Sequence, residues 1–243
     1  VDKNPDGSIK VIQTAHSRLW QEAPGVDDDD DDSHGTSVAS VALGARYGVA
    51  KHATLVSVKW HIEDGVIDDI NDAFAKVYWD IKDNGRENQA VVLCAIGDPG
   101  PSPANAESEH GSSAKRQHST IRSIMEQGVP VITTAGNDRD GKYRENVDFW
   151  PSIWGSPTYP LIVVGETNDE GFRPEQAQGG LRVSTWAPAY GAIRLKKNGD
   201  AMRGSGSSLG TYSISELVLE TDTDTMYSRR DGCWCRCKLD VLR

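Results

Sequence analysis

Ala90-Val91-Val92-Leu93-Cys94-Ala95-Ile96 is an unbroken apolar run of strand length, closed by Gly97-Asp98-Pro99-Gly100-Pro101. A strand with one wet face alternates polar and apolar residues, whereas a continuous run suits a strand covered on both faces. The flanking segments supply that cover. Upstream, Ile67, Ile70, Phe74, Val77 and Ile81 recur at steps of three and four, which predicts a helix with one apolar face. Asp68, Asp69 and Asp72 load its first turns, where the helix dipole favours negative charge, and Asn84-Gly85 ends it. Downstream, a polar loop leads to a second helix over 113–127, with Ile121, Ile124 and Met125 inward and Gly128 as its C-cap. Farther out, residues 53–60 and Val129 to Thr134 read as strands, as do the shorter stretches Leu161 to Val164 and Leu181 to Trp186. Residues 37–43 read as a short helix closed by Gly44, and 138–160 as a loop rich in aromatics and prolines. Strands alternating with helices predict an α/β domain with a parallel sheet.

Composition narrows the class. The 243 residues are 37% hydrophobic and 26% charged, an ordinary globular balance, with a net charge of −10. No basic stripe offers itself to nucleic acid or to an anionic membrane. No apolar run approaches the roughly 20 residues of a membrane span. Cys94, inside the apolar run, reads as a small buried hydrophobe. Cys233, Cys235 and Cys237 have neither the number nor the spacing of a disulfide framework or a zinc site. Trp20, Trp60, Trp79, Trp150, Trp154 and Trp186 read as core or loop anchors. His16, His52, His61, His110 and His118 lack metal-ligand spacing and read as surface or packing residues.

Three further stretches carry chemistry. His34 precedes Gly35-Thr36, where the backbone can turn closely and start a helix, and small residues follow at Ser37, Ala39, Ser40 and Ala42. Asn137 follows Val131-Ile132-Thr133-Thr134-Ala135-Gly136, so its amide stands at the carboxyl end of a buried strand, able to donate to a developing oxyanion. Ser208 sits in Gly204-Ser205-Gly206-Ser207-Ser208-Leu209-Gly210, with Ser205, Ser207 and Ser213 as rivals. A base, an oxyanion donor and a nucleophile are the parts acyl transfer needs.

These stretches resemble the subtilisin-like serine peptidases, or subtilases. The match is most specific around His34: His-Gly-Thr-x-Val-Ala-Ser, then Gly48-Val49-Ala50-Lys51-x-Ala53, then a strand ending Val58-Lys59. Gly128-Val129-Pro130-Val131-Ile132 leading to Ala135-Gly136-Asn137-Asp138 is similar to the family's oxyanion strand. The serine motif departs from Gly-Thr-Ser-x-Ala-x-Pro: Ser207 replaces threonine, and Tyr212 stands where proline belongs. The resemblance implies a three-layer sandwich with a parallel sheet of about seven strands and helices on both faces. It implies a serine endopeptidase in which His34, Ser208 and Asn137 are catalytic. Ala95, Ile96 and Gly97 would pair with an extended peptide beside the first specificity pocket. Leu93-Cys94-Ala95 replaces the family's usual Asn-Met-Ser there, and Trp154 to Pro157 lies where another pocket wall forms.

The family's third triad member lies in Asp-[Ser/Thr]-Gly at the end of an apolar strand before the histidine, and no such motif occurs here. Val1-Asp2-Lys3-Asn4-Pro5-Asp6 resembles the stretch just after it. The expectation is therefore a peptidase domain over 1–220 that lacks its first strand, followed by a poorly ordered or non-native tail over 221–243. Asp2 and Asp6 are aspartate candidates by default. Asp27 to Asp32 reads as a solvated acidic loop, with weak Ca²⁺ binding as the alternative. No cofactor or metal is otherwise expected. The expected partners are protein or peptide substrates, with no nucleic acid and no membrane, and the chain is expected to be a monomer. The family resemblance implies a secreted or vacuolar location. The contrasting expectation is a catalytically impaired fragment or pseudopeptidase that at most binds peptides.

Overall fold

A computed structural model describes residues 11–13, 34–50, 53–59, 66–97, 111–137, 145–196, 199–214, 225–230 and 233–238. The apolar run yields β3 (Val92–Cys94), the first strand of a four-stranded parallel sheet. Its order is β3, β4 (Val131–Thr134), β5 (Ile162–Thr167) and β6 (Thr185–Pro188). Val92 pairs with Val131, Ile132 with Ile162, and Val164 with Thr185. A separate parallel pair joins β1 (Val11–Gln13) to β2 (Ser57–Lys59), with Val11 opposite Ser57. The described strands give the expected α/β arrangement of parallel strands with flanking helices, six parallel strands among the described residues against the expected count of about seven.

Successive β4 residues face opposite layers, as the pleat demands. Val131 joins a core with Ile70, Phe74, Ile81, Ile121, Ile124 and Val163, from α2 (Val66–Asp83), α3 (Gly111–Met125) and β5. Ile132 and Val164 face the other way, toward Ala187 and Ile214. Val131, Ile132, Ile121, Ile124, Val163 and Val164 are wholly buried. Full burial of one such side chain contributes about 1.5–3 kcal/mol. The periodicity that predicted α2 is the periodicity of its burial: Ile70, Phe74 and Ile81 are core, with Val77 packed at the margin.

On the opposite face lie α1 (His34–Leu43) and α4 (Ser207–Ser213). Val38, Val41, Ala95, Ala189 and Leu209 share one buried cluster there. A hairpin of β7 (Ala192–Leu195) and β8 (Ala201–Gly204) leans on α1. Two serines clasp it. Ser37 Oγ donates to the Leu195 carbonyl at 3.0 Å, and the Leu195 amide donates to Ser40 Oγ at 2.9 Å. Arg194 Nη1 adds a bond to Ser37 Oγ at 3.1 Å.

Some elements differ from expectation. The strand expected over Leu181 to Trp186 starts only at Thr185, because Gly179 and Gly180 lead into a turn that leaves Leu181 fully exposed. Trp79 is exposed rather than an anchor, while Trp150 is buried. Trp20 and Trp60 lie outside the described residues. In the tail, read as poorly ordered or non-native, β9 (Thr225–Arg230) pairs antiparallel with β10 (Cys233–Lys238). In the sequence the two strands are separated by Asp-Gly, a dipeptide that favours hairpin turns.

Candidate active site

The site lies where β3 and β4 end and α4 begins. In open α/β sheets the crevice beyond the strands' carboxyl ends is where ligands collect. Gly206 precedes α4 with φ at 138°, a conformation that favours glycine. Its amide donates to Glu166 Oε1 at 2.9 Å. Glu166 has no exposed surface, and burial raises its pKa above the ordinary carboxylate value, opposed by the Gly206 amide and Gln176.

The two serines that follow have separate surroundings. Ser207 is fully buried, and its Oγ accepts from the Gly136 amide at 3.0 Å and from the Thr134 hydroxyl. Its amide donates to Asn137 Oδ1 at 3.0 Å, and its hydroxyl reaches the same oxygen at 3.2 Å. Ser207 is thus a brace between α4 and the end of β4. Ser208 is only half-buried, and its Oγ donates to the Ala95 carbonyl at 3.0 Å. Of the rivals, Ser205 Oγ accepts from the Gly191 amide, and Ser213 Oγ donates to the Leu209 carbonyl a turn farther along α4.

Asn137 is half-buried, and its backbone bridges to Ala177. Because Oδ1 takes the Ser207 amide, Nδ2 is the end of the side chain with protons to give. His34, also half-buried, opens α1. Val38 lies one turn farther on the same helix face and shares its cluster with Ala95 and Leu209. The structure therefore joins Asn137, Ala95 and the Ser207-Ser208 turn by hydrogen bonds, and brings His34's helix against them by packing. Asp2, Asp6 and Asp27 to Asp32 lie outside the described residues, as do His16, His52, His61 and His110. Among the described residues no cluster of His, Cys, Asp or Glu could hold a metal ion.

The family model for the "Subtilase family" matches residues 7–234. The chain belongs to the subtilase family. Subtilisin-like protease 1 of Trichophyton rubrum is 25% identical over 195 residues, 79% of this chain and 34% of that protein. Subtilisin-like protease 2 of Trichophyton verrucosum is 29% identical over 194 residues, 78% of this subtilase and 41% of the other. The chain thus spans about a third to two-fifths of the length of these curated relatives. In fold it is similar to a cold adapted subtilisin-like serine proteinase, with a TM-score of 0.59 and 20% identity over 76% of this chain and 59% of that one. A mutant of the protease domain of PatA gives a TM-score of 0.64 and 18% identity, covering 87% of this chain and 70% of the other.

Several residues around the candidate site carry no local sequence pattern. Glu166 and Gln178 are buried polar residues from distant segments. Phe149 is buried with its ring against both Gly97 and Gly136, since a Cβ on either glycine would overlap it. Gln178 fixes that segment by donating from Nε2 to the Asn146 carbonyl at 2.9 Å and to Asp148 Oδ1 at 3.0 Å. Cys94 donates to the Ile96 carbonyl, and burial pushes its thiol up to about 11. His118 stacks on Tyr159 and meets Trp154 edge-on, a packing role. Trp154 is therefore part of this aromatic cluster on the α3 side.

Proposed function

We propose that this chain is a subtilisin-like serine endopeptidase domain acting on protein or peptide substrates through an acyl-enzyme. The observation that carries the reading is the division of labour at α4. Ser207 and Asn137 lock the turn together, while the next hydroxyl, on Ser208, faces the end of β3. Ser208 Oγ would attack the substrate carbonyl carbon while His34 takes its proton and passes it to the leaving amine. Asn137 Nδ2 and the Ser208 amide would hold the oxyanion. The substrate backbone would lie along Ala95, Ile96 and Gly97, and water entering by the leaving group's route would release the acid.

A second reading, a domain that binds peptides without turning them over, rests on the lack of an Asp-[Ser/Thr]-Gly motif in the sequence. Loss of the triad aspartate costs about 10⁴ in turnover while leaving the oxyanion site in place. A fluorophosphonate probe read by mass spectrometry separates the two. Labelling of Ser208 that disappears in His34→Ala supports the enzyme. A folded sample that takes no label overturns it.

A further inference from the structure

The Phe149 ring stands between the carboxyl ends of β3 and β4, against Gly97 and Gly136. If Ser208 Oγ is to reach a carbonyl carbon whose oxygen points at Asn137, the acyl residue must lie between the segment 95–97 and the segment 135–137. Its side chain then falls between Gly97 and Gly136, two residues that leave the walls bare. The Phe149 ring lies against both glycines, and Gln178 Oε1 shares the Gly136 side with it.

The ring is not a loose flap. Phe149 is 6% exposed, with Val147 and Trp150 buried on either side of it. Gln178 ties the preceding residues down, and its own amide donates to the Gly136 carbonyl at 3.0 Å. The Phe149 carbonyl accepts from the Ile153 amide at 2.9 Å, which anchors the segment from the other side. Moving the ring aside would break this set of contacts together.

We propose that Phe149 is a specificity-determining residue that restricts the acyl-side residue of the scissile bond to glycine or alanine. The proposal rests on the endopeptidase reading above. A large aromatic or long aliphatic side chain at that position has no space until the ring is cut back.

The test uses peptidyl diphenyl phosphonates that differ only in carrying alanine or phenylalanine next to phosphorus, with labelling of Ser208 followed by mass spectrometry. The unaltered chain is expected to react on the order of 100-fold faster with the alanine probe. Phe149→Ala should narrow that ratio by about tenfold or more, through faster reaction with the phenylalanine probe. Should Phe149→Ala lose its near-ultraviolet circular dichroism, Phe149→Leu replaces it, with a smaller gain in the same direction. Equal rates in the unaltered chain, or a ratio untouched in a folded variant, overturn the proposal. Labelling by the fluorophosphonate but by neither peptidyl probe overturns it too, leaving the endopeptidase reading intact. No labelling by any of the three on folded protein overturns both.

Discussion

Ser208 and Ala95 are 113 positions apart in the chain, yet the hydroxyl of one donates to the carbonyl of the other at 3.0 Å. The bond ties the first turn of α4 to the end of β3. It also separates Ser208 from its neighbour, since Ser207 turns its hydroxyl into the protein.

Substitutions at the two serines should therefore have opposite signatures. Ser208→Ala abolishes fluorophosphonate labelling and leaves the denaturant midpoint nearly unchanged. Ser207→Ala retains labelling at Ser208 but costs about 1–3 kcal/mol of stability, because the Gly136 amide loses its buried acceptor. Equilibrium unfolding beside probe labelling checks both.

Asn137 offers a cleaner dissection. Asn137→Asp keeps an oxygen for the Ser207 amide but removes the Nδ2 donor. It should remain folded and lose about 10²–10³ in turnover. Asn137→Ala loses both functions, and its unfolding midpoint falls as well. Peptide hydrolysis and urea unfolding on the same preparations separate the two effects.

Glu166 should leave a mark on the pH dependence of stability. Its folded pKa is raised by burial, so the native state holds its proton where the unfolded chain has released it. The resulting stabilisation is full below the ordinary carboxylate pKa and is lost as pH rises through the elevated folded value. Glu166→Gln, which keeps an acceptor for the Gly206 amide, should remove that slope. Urea midpoints measured from acid to neutral pH compare the two proteins directly.

Cys94 should be inert. With its thiol pushed up to about 11 by burial, little thiolate exists at neutral pH. Iodoacetamide is expected to leave Cys94 unmodified in the native protein and to modify it readily in denaturant. Peptide mapping reads this position independently of the cysteines in the tail.

The central architecture is legible locally because local periodicity and burial coincide. The steps from Ile70 to Ile81 are the buried face of α2, whereas the run at 90–96, read as a strand covered on both faces, holds β3 with Val92, Leu93 and Cys94 only half-buried. Elsewhere the boundaries moved. Leu181 is apolar and looks like strand, but paired glycines before it make a turn that puts it in solvent. The β7–β8 hairpin has no apolar alternation to mark it, because its strands mix arginines with small residues, although the sequence between them contains the turn dipeptide Asn-Gly. At the site, His34, Asn137 and Ser208 stand in recognisable motifs. Glu166, Phe149 and Gln178 do not, since each takes its meaning from a partner far away in sequence.

The clasp of Ser37 and Ser40 on Leu195, with the bond from Arg194 to Ser37, links two parts of the chain that lie more than 150 positions apart. The helix that carries His34 is moored to a surface ribbon on its outer side. Loosening that ribbon, by shortening it or by grafting a foreign loop at its tip, would let the imidazole drift from the cleft without touching any residue that meets substrate. On the endopeptidase reading, probe labelling of Ser208 in such grafts would then fail by misalignment, well before the rest of the domain melted.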